Sequence, residues 1–194
     1  MYKLTRSDEP DCLKKHAATW TRKFLTPPQK TDWPANRECY KKMREQLANM
    51  SKRHCVYCDG LYKTSPITIE HFHPKGNPQY AHLVYQWANL FACCTLCQGK
   101  KKERFDPMLL KPDEQDYTFN RYFCTIYQTG EIKINPFAQQ EDQKRAKATL
   151  DFFAFLNDDE HKRWRLAQME YFTLKGKPFD SIDDYEYRFF LQDA

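Results

Sequence analysis

The sequence predicts an α+β protein in which a small metal-stapled core is flanked by helices. Apolar residues recur at helical spacing both before residue 54 and after residue 140. Between these regions, two Cys-x-x-Cys pairs enclose the run Ile-Thr-Ile at residues 67–69, whose alternation is typical of a short strand. We therefore expect residues 55–105 to organise the rest of the chain.

The length of 194 residues favours one domain, 1–194, with three parts. Residues 1–54 would form a helical support, residues 55–105 the zinc-bound core, and residues 106–194 a hairpin with a helical elaboration. No apolar run reaches the ~18 residues that a membrane span needs, and the N-terminus lacks an apolar signal segment. We expect a cytoplasmic protein.

Charge is distributed unevenly along the chain. Lys and Arg outnumber Asp and Glu by 13 to 6 in residues 1–54 and by 6 to 3 in residues 55–105, but residues 106–194 carry 12 against 17. The net charges are therefore +7, +3 and −5. The first half could face a polyanion such as nucleic acid, whereas the acidic second half would repel one.

Two helices are expected before the core. The first covers residues 10–25 and is ended by Pro27 and Pro28, and the second runs from the candidate N-cap Asn36 to about Arg53. Their apolar stripes are Leu13, Ala17, Trp20 and Phe24, then Cys39, Met43, Leu47 and Met50. The basic residues on the other faces of the second helix are Arg37, Lys41, Lys42 and Arg44. This basic face is either a solvated surface or one that tracks phosphates.

After the core, residues 122–127 and 131–135 predict a β-hairpin with Gly130 in its turn. Helices should follow over residues 140–156 and from about Asp159. The last helix should begin at Ser181, where Ser-x-x-Asp resembles a capping box. The residues expected to face the core are Ala146, Leu150, Phe153 and Ala154, then Trp164, Ala167 and Tyr171, and finally Ile182, Tyr185 and Phe189.

The paired cysteines predict a structural zinc site. Chance alone would give roughly 0.3 Cys-x-x-Cys pairs in such a chain, so two pairs are informative. The expected ligands are Cys55, Cys58, Cys94 and Cys97. Two intervening residues let a tight turn aim both thiolates at one tetrahedral ion, and a site of four cysteines leaves no open position for catalysis. The alternatives are four ordinary thiols or a thioredoxin-like redox pair, and a redox pair would need a βαβ context, which the sequence lacks.

The other four cysteines have no such spacing. They are Cys12, Cys39, Cys93 and Cys124. Because reducing conditions disfavour disulfides, we expect each of them to be a small buried apolar residue.

The run Ile-Glu-His-Phe-His-Pro-Lys at residues 69–75 holds the candidate catalytic side chains. In a regular strand Glu70 and His71 point to opposite faces, so a shared site requires the backbone to leave regularity. Pro74 makes such an exit plausible because it cannot donate to a ladder. Taken alone, His71 and His73 would be interpreted as surface residues of a strand.

The order of these motifs resembles the HNH endonucleases, nucleases of the ββα-metal, treble-clef type. It consists of Cys-x-x-Cys, Glu-His-x-x-Pro, Asn-Leu, Cys-x-x-Cys and a following Lys. Residues 69–75 and the Trp-x-Asn-Leu at 87–90 are similar to the PtuB branch of that family, while Phe-Asp-Pro at 105–107 and the hairpin fit its C-terminal part. The strong part of the resemblance covers about 50 residues.

The resemblance implies roles for individual residues. His71 would be the general base, Glu70 a ligand of a catalytic Mg²⁺ or Mn²⁺, and Asn89 the residue that orients the histidine-bearing loop. The third family position, usually Asn or His, is Gln98 here, so an amide oxygen would have to bind the catalytic ion. The residues that would contact the substrate backbone are His73, Lys75, Lys100, Lys101, Lys102 and Arg104. An unperturbed imidazole with a pKa near 6.5 accepts a proton at neutral pH.

These roles imply a metal-dependent nuclease. We expect DNA as its substrate, although HNH sites also permit cleavage of RNA. The PtuB resemblance further implies antiphage defence in a Septu-like or retron-associated system, with a PtuA-like ATPase and a retron RNA/DNA complex as partners. A rival hypothesis is a zinc-ribbon module that binds nucleic acid or protein without cutting it. Gln98 is the best support for the rival.

Overall fold

The computed structural model describes residues 1–27, 37–62 and 67–193. The proposed N-cap Asn36, Pro28 and the residues just before the central strand lie outside these ranges. The described part is a mixed α+β structure with two small two-stranded sheets. None of its helices is long and apolar enough to cross a membrane.

Contacts divide the chain into two compact units. The motif unit comprises Thr5–His54 and Tyr62–Phe105, and the C-terminal unit comprises Met1–Leu4, Cys55–Leu61 and Asp106–Ala194. The organisation as one domain, 1–194, stays a prediction.

The centre of the motif unit is an antiparallel strand pair followed by a helix. Strand β1 (Thr68–His71) pairs with β2 (Leu90–Cys93). Helix α3 (Thr95–Lys101) starts directly after β2, with Cys94 as its N-cap. The predicted strand at 67–69 is therefore confirmed and extends to His71, and most side chains of both strands are buried.

Two amphipathic helices support this strand pair. They are α1 (Asp11–Leu25) and α2 (Arg37–Met50), both close to their predicted positions. Helix α2 packs against both β1 and β2, and α1 packs against a 3₁₀ turn at Ala81–Leu83. The buried residues of the predicted stripes are Leu13, Trp20 and Phe24, then Cys39, Met43 and Leu47. Ala17 and Met50 are half-buried.

Cys12 and Cys39 form a disulfide across these helices, so the prediction of isolated thiols is wrong for this pair. Their Cα atoms are 5.8 Å apart, within the range that a disulfide spans. The buried stripe of α2 brings Cys39 against the start of α1, where Cys12 lies. A sequence separation of 27 residues carries no pairing signal. Cys93 is buried as predicted, whereas Cys124 is half-buried.

The C-terminal unit contains the predicted hairpin. A short helix α4 (Phe119–Tyr122) leads into β3 (Phe123–Ile126), which pairs with β4 (Glu131–Ile134). Gly130 closes the turn with a φ of 74°, a conformation that other residues rarely adopt. A Cβ atom there would clash with the carbonyl oxygen of Lys162, so glycine is required both for conformation and for space.

Helices α5 (Gln140–Phe152) and α6 (Asp159–Leu174) follow, linked by a 3₁₀ turn at Ala154–Asn157. Ala146 and Phe153 are buried as predicted, but Ala154 is exposed because the α-helix ends before it.

The predicted core face of α6 is wrong. Its buried residues are His161, Arg165 and Phe172, whereas Trp164, Ala167 and Tyr171 are exposed. Arg165 donates to the carbonyl oxygens of Gly130 at 2.6 Å and Leu156 at 2.7 Å. Its burial lowers the pKa of Arg165 to about 10. A hydrophobic pattern predicts that arginine lies at the surface. It therefore does not predict a buried arginine such as Arg165, which donates hydrogen bonds to two buried carbonyl groups.

The expected helix from Ser181 is replaced by a kinked 3₁₀ segment at Phe179–Asp184 and a short α7 (Arg188–Leu191). The hydroxyl of Ser181 donates to the carbonyl of Pro178 at 3.3 Å, so it does not cap a helix. Tyr185 and Phe189 are buried as predicted, and Ile182 is half-buried.

Candidate active site and metal centre

Four cysteines form a compact cluster. The sulphur atoms of Cys55, Cys58, Cys94 and Cys97 all lie within 4.8 Å of one another, and all but Cys94 are buried. Zn–S bonds of about 2.3 Å in a tetrahedral site place the sulphur atoms about 3.8 Å apart. The cluster can therefore hold a metal ion such as zinc, with the four ligands that the spacing predicts.

Backbone N–H groups donate to a sulphur atom in each cysteine pair. Gly60 N donates to Cys58 Sγ at 3.4 Å, and Cys97 N donates to Cys94 Sγ at 3.3 Å. The second bond lies at the N-terminus of α3, where partial positive charge favours a thiolate. Both contacts stabilise the deprotonated form that binds metal.

Asp59 fixes the turn that carries the first cysteine pair, and sequence reasoning missed it. Its N–H donates to the carbonyl of Cys55 at 2.9 Å, with a φ of 61°. Its carboxylate accepts from Arg188 Nη2 at 2.6 Å and Arg188 N at 2.7 Å, and both side chains are almost fully buried. The Asp-Gly dipeptide at 59–60 signals a turn, but a partner 129 residues away leaves no local pattern.

Glu70, the expected ligand of the catalytic ion, forms a buried ion pair in the motif unit. Lys101 Nζ lies 2.8 Å from Glu70 Oε1, and the two side chains are 0% and 4% exposed. The same ammonium group donates to the carbonyl oxygen of His71 at 2.9 Å. Lys101 therefore joins the carboxylate to the main chain of the next residue at the end of β1.

His71, the predicted general base, is buried at the end of β1. Its Nε2 lies 3.0 Å from the carbonyl oxygen of Val84, which can only accept, so Nε2 carries the proton and Nδ1 has the lone pair. Burial lowers the pKa of His71 to about 3, and the positive charges of Lys75 and Lys101 lower it too, while the bond to Val84 acts in the opposite direction. The imidazole is therefore neutral at physiological pH.

Asn89 holds the backbone that follows His71. Its Oδ1 accepts from His73 N at 2.7 Å and lies 3.2 Å from His73 Nδ1. Its Nδ2 donates to the carbonyl oxygens of His73 at 3.0 Å and Leu83 at 3.1 Å, and Phe72 N donates to Asn89 O at 2.9 Å. Asn89 thus fixes residue 72 through its main-chain carbonyl and residue 73 through its buried side-chain amide.

Gln98 uses its amide to hold β1. Its Nε2 donates to the carbonyl oxygen of Ile69 at 3.0 Å, which joins α3 to the strand immediately before Glu70. The side chain therefore lies beside the Glu-His dipeptide, where the motif order predicts it. The hydrogen bond gives Gln98 a structural role in the described conformation.

One curated protein is similar to this chain over half its length. It is Septu protein PtuB of Bacillus thuringiensis. The two are 34% identical over 103 residues, which cover 52% of this chain and 37% of the relative. The matched part thus spans little more than a third of the relative, and no family model matches the chain. The similarity supports the resemblance to PtuB, while assignment to the HNH class rests on the motifs.

The residues around Glu70 do not present a ready-made site for a divalent ion. Among the described residues, the cysteine cluster is the only group of three or more His, Cys, Asp or Glu side chains that could hold a metal. A hard cation such as Mg²⁺ prefers several oxygen ligands. Glu70 instead pairs with the Lys101 ammonium, and the Gln98 amide bonds to the backbone. In the described conformation Glu70 therefore has a side-chain cation as its partner, and the catalytic ion stays a prediction.

The predicted phosphate-contacting cations fall into two groups. Lys101 is completely buried against Glu70, where it does not face solvent in the described conformation. Lys100, Lys102 and Arg104 are exposed, and Lys75 is half-buried. These four cations can meet a polyanion, whereas Lys101 lies on the inner face of α3. Their contacts with substrate stay a prediction.

Proposed function

We propose that this protein is the nuclease component of an antiphage defence system and hydrolyses phosphodiester bonds, in DNA rather than RNA. The observation that carries the proposal is the placement of Glu70, His71 and Asn89. Glu70 and His71 are the last two residues of β1 in the β1–β2–α3 unit, and Asn89 holds the backbone of residues 72 and 73 that follow them. This placement of the motif residues on adjacent elements supports the resemblance to the HNH nucleases.

In this mechanism His71 accepts a proton from the attacking water. Its Nδ1 has the lone pair because Nε2 donates to Val84. Burial keeps the ring neutral but also lowers its pKa to about 3, so the ring can act as an effective base only if bound substrate raises that pKa towards neutrality. A positioned general base contributes roughly 10²–10⁴ in rate. Asn89 positions the loop that follows, and the exposed lysines contact the substrate backbone. The products would carry 5′-phosphate and 3′-hydroxyl ends.

The similarity to Septu protein PtuB supports a role in antiphage defence and a PtuA-like ATPase as partner. A retron RNA/DNA complex is a further proposed partner, and the cytoplasm is the proposed location. The HNH resemblance implies a requirement for Mg²⁺ or Mn²⁺, with Glu70 and Gln98 as the residues that would hold the ion.

The test is cleavage of plasmid DNA and of structured RNA by purified protein with EDTA, Mg²⁺ or Mn²⁺, alone and with the neighbour-encoded ATPase. We expect cleavage that falls at least 100-fold in His71→Ala. His82→Ala is the matched control, because His82 is an exposed histidine on the turn at Ala81–Leu83. Equal cutting by His71→Ala and wild type would show that the base is misassigned.

A zinc-stabilised binding module is the second candidate function. The buried Glu70–Lys101 pair favours the binding module, because Lys101 neutralises the carboxylate that a nuclease would use to bind its catalytic ion. Under this alternative the protein binds nucleic acid, but no metal and no ATPase elicits cleavage. A filter-binding or anisotropy measurement beside the cleavage assay separates the two functions.

A further inference from the structure

Three half-buried aromatic rings lie together beside the candidate active site. The ring centroids of His73 and Phe105 are 4.6 Å apart, and Tyr80 lies 5.0 Å from each of them. Phe72, which is buried, packs edge-on beneath Phe105 at 5.7 Å. We call His73, Tyr80 and Phe105 the aromatic cluster. Aromatic pairs at such distances stabilise one another, so the cluster presents a preformed surface.

The aromatic cluster is fixed relative to the candidate base. His73 lies two residues after His71, and Asn89 holds its backbone N–H and carbonyl. A second tie joins the two loops that carry the other rings, because Gly76 N donates to Glu103 Oε2 at 3.0 Å. Rings held by such contacts can bind a ligand with little loss of conformational freedom.

Positive charge borders the aromatic cluster. Arg104 precedes Phe105 directly, Lys100 and Lys102 are exposed near the end of α3, and Lys75 follows His73 by two residues. The charge of Lys75 reaches the candidate active site, since it contributes to the lowered pKa of His71. Half-exposed rings rimmed by cations match a ligand that combines flat apolar faces with a polyanionic backbone.

We propose that the aromatic cluster stacks on an unpaired base next to the bond that is cut. Single-stranded or locally opened nucleic acid would then be the substrate class, an inference that rests on the proposed function. In a duplex, neighbouring base pairs cover the faces of each base, so rings can stack only on a base that has left the helix. Stacking of this kind contributes about 1–3 kcal/mol per base.

Packing alone could also explain the cluster, since the rings would seal two loops against Phe72. Leucine distinguishes these roles, because it preserves apolar contact but offers no π face. The probe variants are Tyr80→Leu, Phe105→Leu and their combination. Tyr80→Phe keeps a ring, and Phe137→Leu changes a 95% exposed phenylalanine of the C-terminal unit.

The experiment measures binding of a labelled 30-nucleotide single strand, as DNA and as RNA, and of the matching duplexes, by His71→Ala protein. We expect single strands to bind at least tenfold more tightly than duplex. The double leucine variant should lose roughly 10- to 100-fold of single-strand affinity with duplex binding unchanged, while Tyr80→Phe and Phe137→Leu keep wild-type affinity. Equal binding of single strand by the leucine variants would overturn the proposal.

A 2-aminopurine base placed along the single strand reports stacking directly. We expect its fluorescence to be quenched at one position by protein with intact rings, and this readout decides the matter even if the double variant fails to fold. Unchanged fluorescence at every position on binding overturns the proposal. If wild type cuts duplex and single strand equally in a His71-dependent way, the nuclease function stands and the stacking role falls. Quenching without any cleavage would support the stacking role and contradict the nuclease function.

Discussion

The cysteine cluster and the Glu70 region differ in how their charges are balanced. Four thiol groups within 4.8 Å of one another would repel strongly as thiolates unless a cation lay among them. Glu70 is equally buried, but the Lys101 ammonium already compensates its charge at 2.8 Å. The comparison teaches that four thiolates at the first place would need a cation among them, whereas the carboxylate at the second place is already balanced by a side chain.

The largest effect should come from breaking the cysteine cluster. Cys55→Ala should abolish stoichiometric zinc binding and unfold the surrounding structure, because zinc binding of ~10–16 kcal/mol rivals the ~5–15 kcal/mol stability of a whole domain. Zinc content by mass spectrometry and circular dichroism give the readouts. Cys124→Ala is the control, since Cys124 is half-buried and outside the cluster. A variant that retains both its zinc and its spectrum would contradict the ligand assignment.

The second prediction concerns the ion pair. Lys101→Met leaves the Glu70 carboxylate buried without its cation, so we expect a loss of about 3–5 kcal/mol in the free energy of unfolding. Combining it with Glu70→Gln should recover a large part of that loss, because the double variant buries no charge. Urea unfolding measures both.

The neighbouring Lys100→Met supplies the matched control, because Lys100 is exposed and surface changes usually stay within about 0.5 kcal/mol. Equal effects of the two lysine substitutions would show that the pair does not stabilise the fold. The claim that Lys101 balances the buried charge of Glu70 would then be contradicted.

Much of this arrangement could be predicted from the sequence where local spacing determines it. Helical periodicity placed α1 and α2, the Gly130 turn placed the hairpin, and Cys-x-x-Cys spacing identified four residues that meet in space. A tight turn fixes both cysteines of a pair relative to each other, so their spacing contains geometric information.

The sequence contains a helical spacing that predicts the burial of Lys101. Within the run Lys100–Lys102 the three side chains look alike, but Lys101 follows the buried Cys97 by four residues on one helix. Residues at this spacing share a face, so one lysine of the run had to turn inward. The Asp59–Arg188 and Cys12–Cys39 pairs had no comparable signal, because they join positions whose proximity depends on tertiary packing.

The smallest effect tests the buried imidazole beside Glu70. The folded pKa of His71 is depressed to about 3 from its ordinary value of 6.5, so the unfolded chain binds the extra proton between these values. The stability that the neutral ring contributes is therefore complete above pH 6.5 and is lost as the pH falls towards 3. Each unit of difference corresponds to about 1.4 kcal/mol, which predicts a loss of about 2 kcal/mol between pH 7 and pH 5.

His71→Gln isolates this contribution, because its amide can still donate to the Val84 carbonyl but does not titrate in this range. Urea unfolding of both proteins at pH 7 and pH 5 gives the difference, and protonation of the cysteine ligands affects the two proteins alike. Wild type should lose about 2 kcal/mol more than the variant. Equal losses would mean that His71 is solvated or protonated in the folded state. Glu70 and Lys101 would then not define a dry site, and its contrast with the cysteine cluster would disappear.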